Sequence, residues 1–379
     1  MTQHRIPAVY MRGGSSRGLF FKDSDLPKNK KTRKQILLGA FGSPDPHLRQ
    51  LDGLGAGISS LSKAVIISPP TISSADIDCF FCQISVDQAV VDVSSICGNL
   101  ASAVGPFAID QGLIQSRKKS TKLKIHIVNT GQLYQTTFET EDGLFQESGR
   151  FQIPGVSGSG SKITLDFFNP CGATTGGLLP TNKVLNIVKT SSKGPIEVSL
   201  IDATTGMVFV NAEDFGYTAN ESYSTLEHDR ELMNGLEEIR RASGVLMGIS
   251  TSETQVPLGN PRIALIGPSK TFKTLANKTI KANAADIAAR VVSMGQLHRA
   301  IPLSSAMCLA AACCIDGSIP NRYLKYNKFS KSSLRLSNPS GVINIKADVC
   351  HKNSSWMVNQ LTAYRTARTL MEGVVCVPK

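Results

Sequence analysis

The groups in this 379-residue chain best placed for proton transfer are a thiol, Cys97, and an amine, Lys63. Cys97 stands in Ser94-Ser95-Ile96-Cys97-Gly98-Asn99, between an alternating run, Ser85 to Val93, and an Ala-rich stretch, Leu100 to Asp110, that reads as a helix. The thiol is thereby predicted at a helix N-terminus. There the first backbone N–H groups have no partner within the helix and carry partial positive charge, which favours thiolate and carboxylate alike. A cysteine so placed can act as acid or base. Cysteine is also a common small core residue, but Ser, Gly and Asn as neighbours are poor core material.

Lys63 closes the glycine-rich stretch Asp52-Gly53-Leu54-Gly55-Ala56-Gly57-Ile58-Ser59-Ser60-Leu61-Ser62-Lys63. That stretch is not a phosphate loop, because Lys63 leads into the strand-like Ala64-Val65-Ile66-Ile67 instead of Gly-Lys-Ser/Thr entering a helix. Nor does it complete a dinucleotide fingerprint, since no apolar strand precedes its glycines. What remains is a lysine at the head of an apolar strand, where partial burial favours the neutral amine; a surface charge at a strand end is the plain alternative. A further loop, Arg12-Gly13-Gly14-Ser15-Ser16-Arg17-Gly18, reads as a turn between strands and offers N–H groups and hydroxyls to an anion, or is simply a hairpin.

The elements that must position these groups follow from the patterning. Strands are predicted at Leu123 to Val128, Tyr134 to Thr140, Phe151 to Ile153 and Ile163 to Phe167, and a polar helix from near Asn29. Beyond Leu178-Leu179-Pro180-Thr181-Asn182 come strands at Ile196 to Ile201, Met207 to Val210 and Arg262 to Ile266. Helices are expected at Tyr223 to Gly248 and at Leu303 to Asp316, the latter closed by Gly317. The likeness of Cys97–Gly112 to Ile301–Gly317 suggests two halves, each wrapping strands around an apolar helix, with two helix N-termini facing one cleft. The expected domains are 1–182, completed by the segment 360–379, and 183–379.

Composition sets the outer limits. A chain 41% hydrophobic and 18% charged is long enough for two globular domains. No apolar run approaches a membrane span, and Met1 to Pro7 lacks a signal core, so a cytoplasmic protein with no membrane partner is expected. Nine scattered cysteines, an odd number with Cys313 and Cys314 adjacent, suggest reduced thiols and not a disulfide framework or zinc site. The net charge of +12 gathers at Lys28 to Lys34, Arg117 to Lys119, Lys270 to Lys281 and Lys325 to Arg335. These runs lack aromatic spacing or a nucleic-acid motif. They read as solvated faces that would concentrate a small polyanion.

Met11 to Gly18, Gly42 to Pro46, Ser59 to Lys63, Cys97 to Asn99, Gly105 to Ala108, Leu179 to Thr181, Ile201 to Ala203, Met247-Gly248, Asn338 to Gly341 and Arg365 to Arg368 together resemble the 2-methylaconitate cis/trans isomerase (PrpF) family, in order along nearly the whole chain. The resemblance implies an α+β fold of diaminopimelate epimerase type, with two pseudo-symmetric halves and the active site in the cleft between them. It implies isomerisation of unsaturated di- and tricarboxylates with no cofactor and no metal. Lys63 and Cys97 would be the proton-transfer pair, and Ser16, Gly98, Asn99, Met294, Gly295 and His298 would contact substrate carboxylates. Arg17, Asn182 and Asn338 depart from the lysine, glycine and histidine frequent in the family.

The chemistry suits such substrates. In an aconitate-like molecule the CH2 hydrogen is α to one carboxylate and allylic to a double bond conjugated with another, so its removal leaves a delocalised carbanion. Return of a proton at the far end of the allyl unit moves the double bond. Cis/trans interconversion of aconitate or 2-methylaconitate is the first expectation, and a double-bond shift in methylitaconate or oxalomesaconate the second. The expected partner is thus a small polycarboxylate and not nucleic acid; a homodimer is left open. A two-cysteine amino-acid racemase would need a second cysteine where Ile301-Pro302-Leu303 stands, with Cys308 lying inside the helix. A nucleic-acid binder would lose affinity steeply with salt.

Overall fold

The computed structural model describes residues 3–94, 96–116, 119–191, 193–324 and 332–379. They divide into two compact units, Met1–Leu165 with Tyr364–Lys379, and Asp166–Ala363. Strands dominate both, with five α-helices among the described residues.

In the first unit the strand Gln3–Gly13 is paired on one side with Ser16–Lys22 and on the other with Ala367–Pro378, in register from Gln3↔Pro378 to Gly13↔Ala367. Ser16–Lys22 runs parallel to Lys63–Ser68, which is antiparallel to Ile77–Ile84. Ile77–Ile84 in turn lies parallel to Ser120–Ile127, the partner of Gln132–Glu141. Helix α1 (Lys30–Phe41) starts at Asn29, whose side chain accepts from Thr32 N, and buries Ile36, Leu37, Ala40 and Phe41. Helix α2 (Ala101–Asp110) is apolar on every side and accordingly buried from Ala101 to Ile109. Its Phe107 ring lies 5.5 Å from that of Phe20, and Tyr134 Oη donates to Ala101 O at 3.0 Å. Burying a phenylalanine this fully stabilises the unit by roughly 1.5–3 kcal/mol.

The second unit begins its sheet with Asn186–Thr190, Gly194–Asp202 and Gly206–Asn211, joined antiparallel. Gly206–Asn211 lies parallel to Arg262–Gly267, which pairs with Ile287–Ser293; Ser332–Asn338 and Gly341–Lys352 continue the sheet. Helix α3 (Tyr223–Glu227) and helix α4 (Arg230–Leu246) cover it, with Leu226, Leu232, Leu236 and Ile239 in a core shared with Leu200, Val208 and Leu265. Helix α5 (Leu303–Cys313) has all its residues buried.

Four expectations change. The boundary falls after Leu165 and not after Asn182, because residues 170–178 wrap a strand of the second unit: Gly172 N donates to Asp202 O, Asp202 N to Leu178 O, and Thr174 N and Thr175 N to Asp202 Oδ2. The segment Tyr223 to Gly248 is two helices, since Asp229 caps a new one by accepting from Leu232 N at 3.0 Å. Ser85 to Val93 is mostly a turn, closed by Ser85 N to Val90 O, with only Val91–Asp92 paired as strand. Phe151 to Ile153 makes a single bridge, Phe151↔Gly160. Ser95, Arg117, Lys118 and residues 325–331 lie outside the described residues, so the basic runs at 117–119 and 325–335 are described only in part. No described helix is long and apolar enough to cross a membrane.

Candidate active site

Cys97 lies in the turn that leads into α2, which begins at Ala101 with Leu100 as its cap residue and no side-chain cap, so the thiol stands one turn before the helix N-terminus expected to hold it. Its carbonyl accepts from Ala101 N at 3.0 Å and its sulfur from Leu100 N at 3.5 Å, which closes that turn. The thiol is half-buried and donates to Ser16 Oγ at 3.8 Å. Gly98 and Asn99 follow it into the turn, both buried.

The glycine-rich hairpin folds directly onto that turn. Gly14 has φ +54° and a Cβ there would come within 2.4 Å of Asn99 Oδ1, so the loop can approach only as glycine. Gly14 N donates to Thr366 O at 2.9 Å, and Arg12 Nη1 holds Gly14 O and Thr366 O at 3.0 Å each. Asn99 Oδ1 accepts from Arg365 Nε at 2.9 Å. Arg365 is 4% exposed, and burial pulls its guanidinium down to about 9; the Cys97 thiol acts in the opposite direction.

Lys63 heads its strand as expected, but it is interior: 8% of its surface is exposed. The register sets Lys63 opposite Gln83, and Nζ donates to Gln83 Oε1. Gln83 is oriented from its other end, because Nε2 donates to Ser59 O and Ser62 O at 3.0 Å each. Nζ also lies 5.4 Å from the centre of the Phe81 ring. A Cβ on Gly18 would stand 2.2 Å from Lys63 O, so the two parallel strands touch through glycine. Lys63 and Cys97 therefore flank the same strand, Ser16–Lys22, one beside Gly18 and the other against Ser16.

Met294, Gly295 and His298 belong to the second unit, on the hairpin that joins Ile287–Ser293 to Gln296–Leu297. Met294 and Gly295 form its turn with φ of +56° and +73°. His298 N donates to Val291 O at 2.8 Å, and its Nδ1 accepts from Ala300 N at 3.1 Å, which puts the proton of the neutral ring on Nε2. Glu227 Oε2 accepts from Leu297 N at 2.7 Å and so ties the hairpin to the end of α3. Of the residues that depart from the family pattern, Arg17 lies 5.6 Å over the Tyr10 ring and Asn338 accepts from Ser340 N in a hairpin turn.

Reasoning from sequence missed Gln83 and Arg365 as neighbours of the site. A lone amide in the apolar run Cys79-Phe80-Phe81-Cys82-Gln83-Ile84 was the available signal for the first. That run also holds Cys79-Phe80-Phe81-Cys82, a C-x-x-C spacing, contrary to the expectation that the cysteines are scattered without one. On a strand, residues three apart face opposite sides, and burial pushes the Cys82 thiol up to about 12 and that of Cys79 higher still. Among the described residues no three His, Cys, Asp or Glu gather in a metal-holding group.

The model of the PrpF protein family matches residues 3–378. The chain is 34% identical to a 2-methyl-aconitate isomerase of Shewanella oneidensis, over 100% of this chain and 98% of that protein. A crystal structure of methylitaconate-delta-isomerase superposes with a TM-score of 0.79 at 35% identity, covering 100% of this chain and 97% of that one. A hydroxyproline epimerase from Agrobacterium vitis shares the fold at 13% identity, with a TM-score of 0.57 over 99% and 93% of the two chains. The fold is thus of the epimerase type, and the chain, an isomerase, belongs to the PrpF family.

Proposed function

We propose that the protein moves a double bond in an unsaturated polycarboxylate by allylic proton transfer, with cis/trans interconversion of aconitate or 2-methylaconitate as its reaction. Lys63 as the amine takes the proton from the CH2 carbon, and the electron pair left behind spreads over the allyl unit and its carboxylates. The Cys97 thiol delivers a proton to the far carbon. One C–H bond breaks and one forms, so the step is redox-neutral and calls on no metal or organic cofactor.

The observation that supports this reading is that a lysine 8% exposed and a half-buried thiol both neighbour the strand Ser16–Lys22, the lysine through its carbonyl beside Gly18 and the thiol through the Ser16 hydroxyl. Ser16, Gly98 and Asn99 surround the thiol with hydroxyl, N–H and amide groups suited to carboxylates. The contacts assigned to Met294, Gly295 and His298 rest on the family motif alone. A shift of the double bond in methylitaconate or oxalomesaconate uses the same two groups and differs in the carbon substituents the site must accept.

Proton NMR in deuterated water tests the proposal with a panel of cis- and trans-aconitate, 2-methylaconitate, methylitaconate and oxalomesaconate. The expected result is exchange of the allylic hydrogen and appearance of the isomer for at least one of them. A folded protein that exchanges none would overturn it.

A further inference from the structure

Among the described residues Arg365 has no carboxylate as counter-ion, and the Cys97 sulfur is the group nearby that favours its charge. Its side chain is 4% exposed. Its hydrogen bonds run from Nε to Asn99 Oδ1 and from Nη1 to Tyr364 O, each 2.9 Å, and both acceptors are neutral. A guanidinium has five N–H donors; three of these, including both on Nη2, have no partner among the described residues. No described carboxylate pairs with it, whereas Arg33, Arg240, Arg241, Arg322, Arg335 and Arg368 each have one. A buried cation without an anion is costly, and because Nη2 is not among the buried nitrogens left without a partner, its donors are open to a ligand.

The surroundings indicate what is missing. Asn99 Oδ1 fixes Arg365 beside the Cys97-Gly98-Asn99 turn, and a Cβ on Gly14 would stand 3.0 Å from Arg365 Cδ. The group is therefore held beside the Cys97-Gly98-Asn99 turn by neutral acceptors, with the Cys97 sulfur the group there that can carry an opposing charge.

We propose that Arg365 binds a carboxylate of the substrate, the one attached beside the carbon that Cys97 protonates. Resting on the proposed isomerase reading, this assigns the first unit a permanent cation as well as its two proton carriers. Paired with that carboxylate through Nη2, the guanidinium opposes the negative charge that develops when the allylic proton leaves.

Tricarballylate, the saturated tricarboxylate, is the probe. Calorimetry should show binding to the parent protein weakened about 30-fold or more in Arg365→Met and partly restored in Arg365→Lys. Crystals of the parent protein with tricarballylate should place a carboxylate within hydrogen-bond distance of Arg365 Nη2, a result independent of whether either variant folds. A folded Arg365→Met that binds as tightly as the parent, or a bound tricarballylate that touches Asn99 but not Arg365, would overturn the assignment while leaving the isomerase reading intact. If the parent protein neither binds tricarballylate nor exchanges protons of the polycarboxylate panel, the functional reading fails and this role with it.

Discussion

The two buried helices, α2 in the first unit and α5 in the second, are built alike and begin differently. Both are rich in small apolar residues and enclosed by strands. Helix α2, whose cap residue Leu100 makes no side-chain cap, is preceded by a turn that holds Cys97, whose sulfur accepts from Leu100 N and stays half-buried. Helix α5 opens on Pro302 with no side-chain cap; its first turn carries Ser304 and Ser305, whose hydroxyls accept from Arg262 Nη1 at 2.7 and 3.3 Å. The cysteine of α5, Cys308, lies a turn and a half further in, fully buried, with its sulfur directed at Ile201 O at 3.5 Å. Burial pushes its thiol well above the ordinary range. One helix start can give up and take back a proton; the other presents a fixed charge and hydroxyls. Symmetric two-cysteine chemistry is poorly served by this pair, and a reaction with unlike acid and base is well served.

If both proton groups reside in the first unit, the largest effect should come from Lys63. Lys63→Ala should lower kcat on the order of 10³- to 10⁴-fold, with the fold checked by circular dichroism. Lys63→Arg should not restore it, because a guanidinium remains protonated. Substantial turnover by a folded Lys63→Arg protein would move the base elsewhere.

The comparison of the two cysteines is sharpened next. Cys97→Ser should slow isomerisation about 10²- to 10³-fold, since a hydroxyl is a far weaker acid than a thiol. Cys308→Ser should leave kcat within about twofold and cost about 1 kcal/mol of stability in a urea titration. In Cys97→Ala, exchange of the allylic hydrogen with deuterated water should outlast net isomerisation, because abstraction by Lys63 does not need the thiol. Equal losses from Cys97→Ser and Cys308→Ser would erase the distinction between the helix starts.

A loss smaller than those expected at Lys63 and Cys97 concerns the strand that both neighbour. Gly18→Ala forces a methyl against Lys63 O and should reduce kcat about tenfold through displacement of the lysine, with roughly 1–3 kcal/mol lost to overpacking. An unchanged rate would mean that the spacing of these strands does not set the geometry.

Much of this site is legible in sequence because its signals are local. Cys97-Gly98-Asn99 stands just before an Ala-rich run, and Lys63 just before an apolar one. The partners are not legible, because they depend on register and on chain closure. Gln83 meets Lys63 through a strand pairing set by every residue from Lys63 to Ser68, and Arg365 reaches Asn99 from the far end of the chain. The break at Asp229 was written in the sequence as an acidic cap before Arg230, yet the apolar periodicity continuing on both sides concealed it. The alternating run Ser85 to Val93 is a caution of the same kind, since most of it forms a turn in which Ser85 Oγ donates to Asp87 Oδ1.

The pairing of Gln3–Gly13 with Ala367–Pro378 orders events during synthesis. Residues 166–363 are contiguous and can close as soon as they leave the ribosome, whereas the first unit waits for Ala367–Pro378, which is made after them. Arg365 and Thr366, which hold Asn99 and Gly14, arrive with that strand. A nascent chain thus carries Cys97 through the making of the whole second unit without the groups that fix the turn beside it, and these arrive in one step, when Ala367–Pro378 zips against Gln3–Gly13.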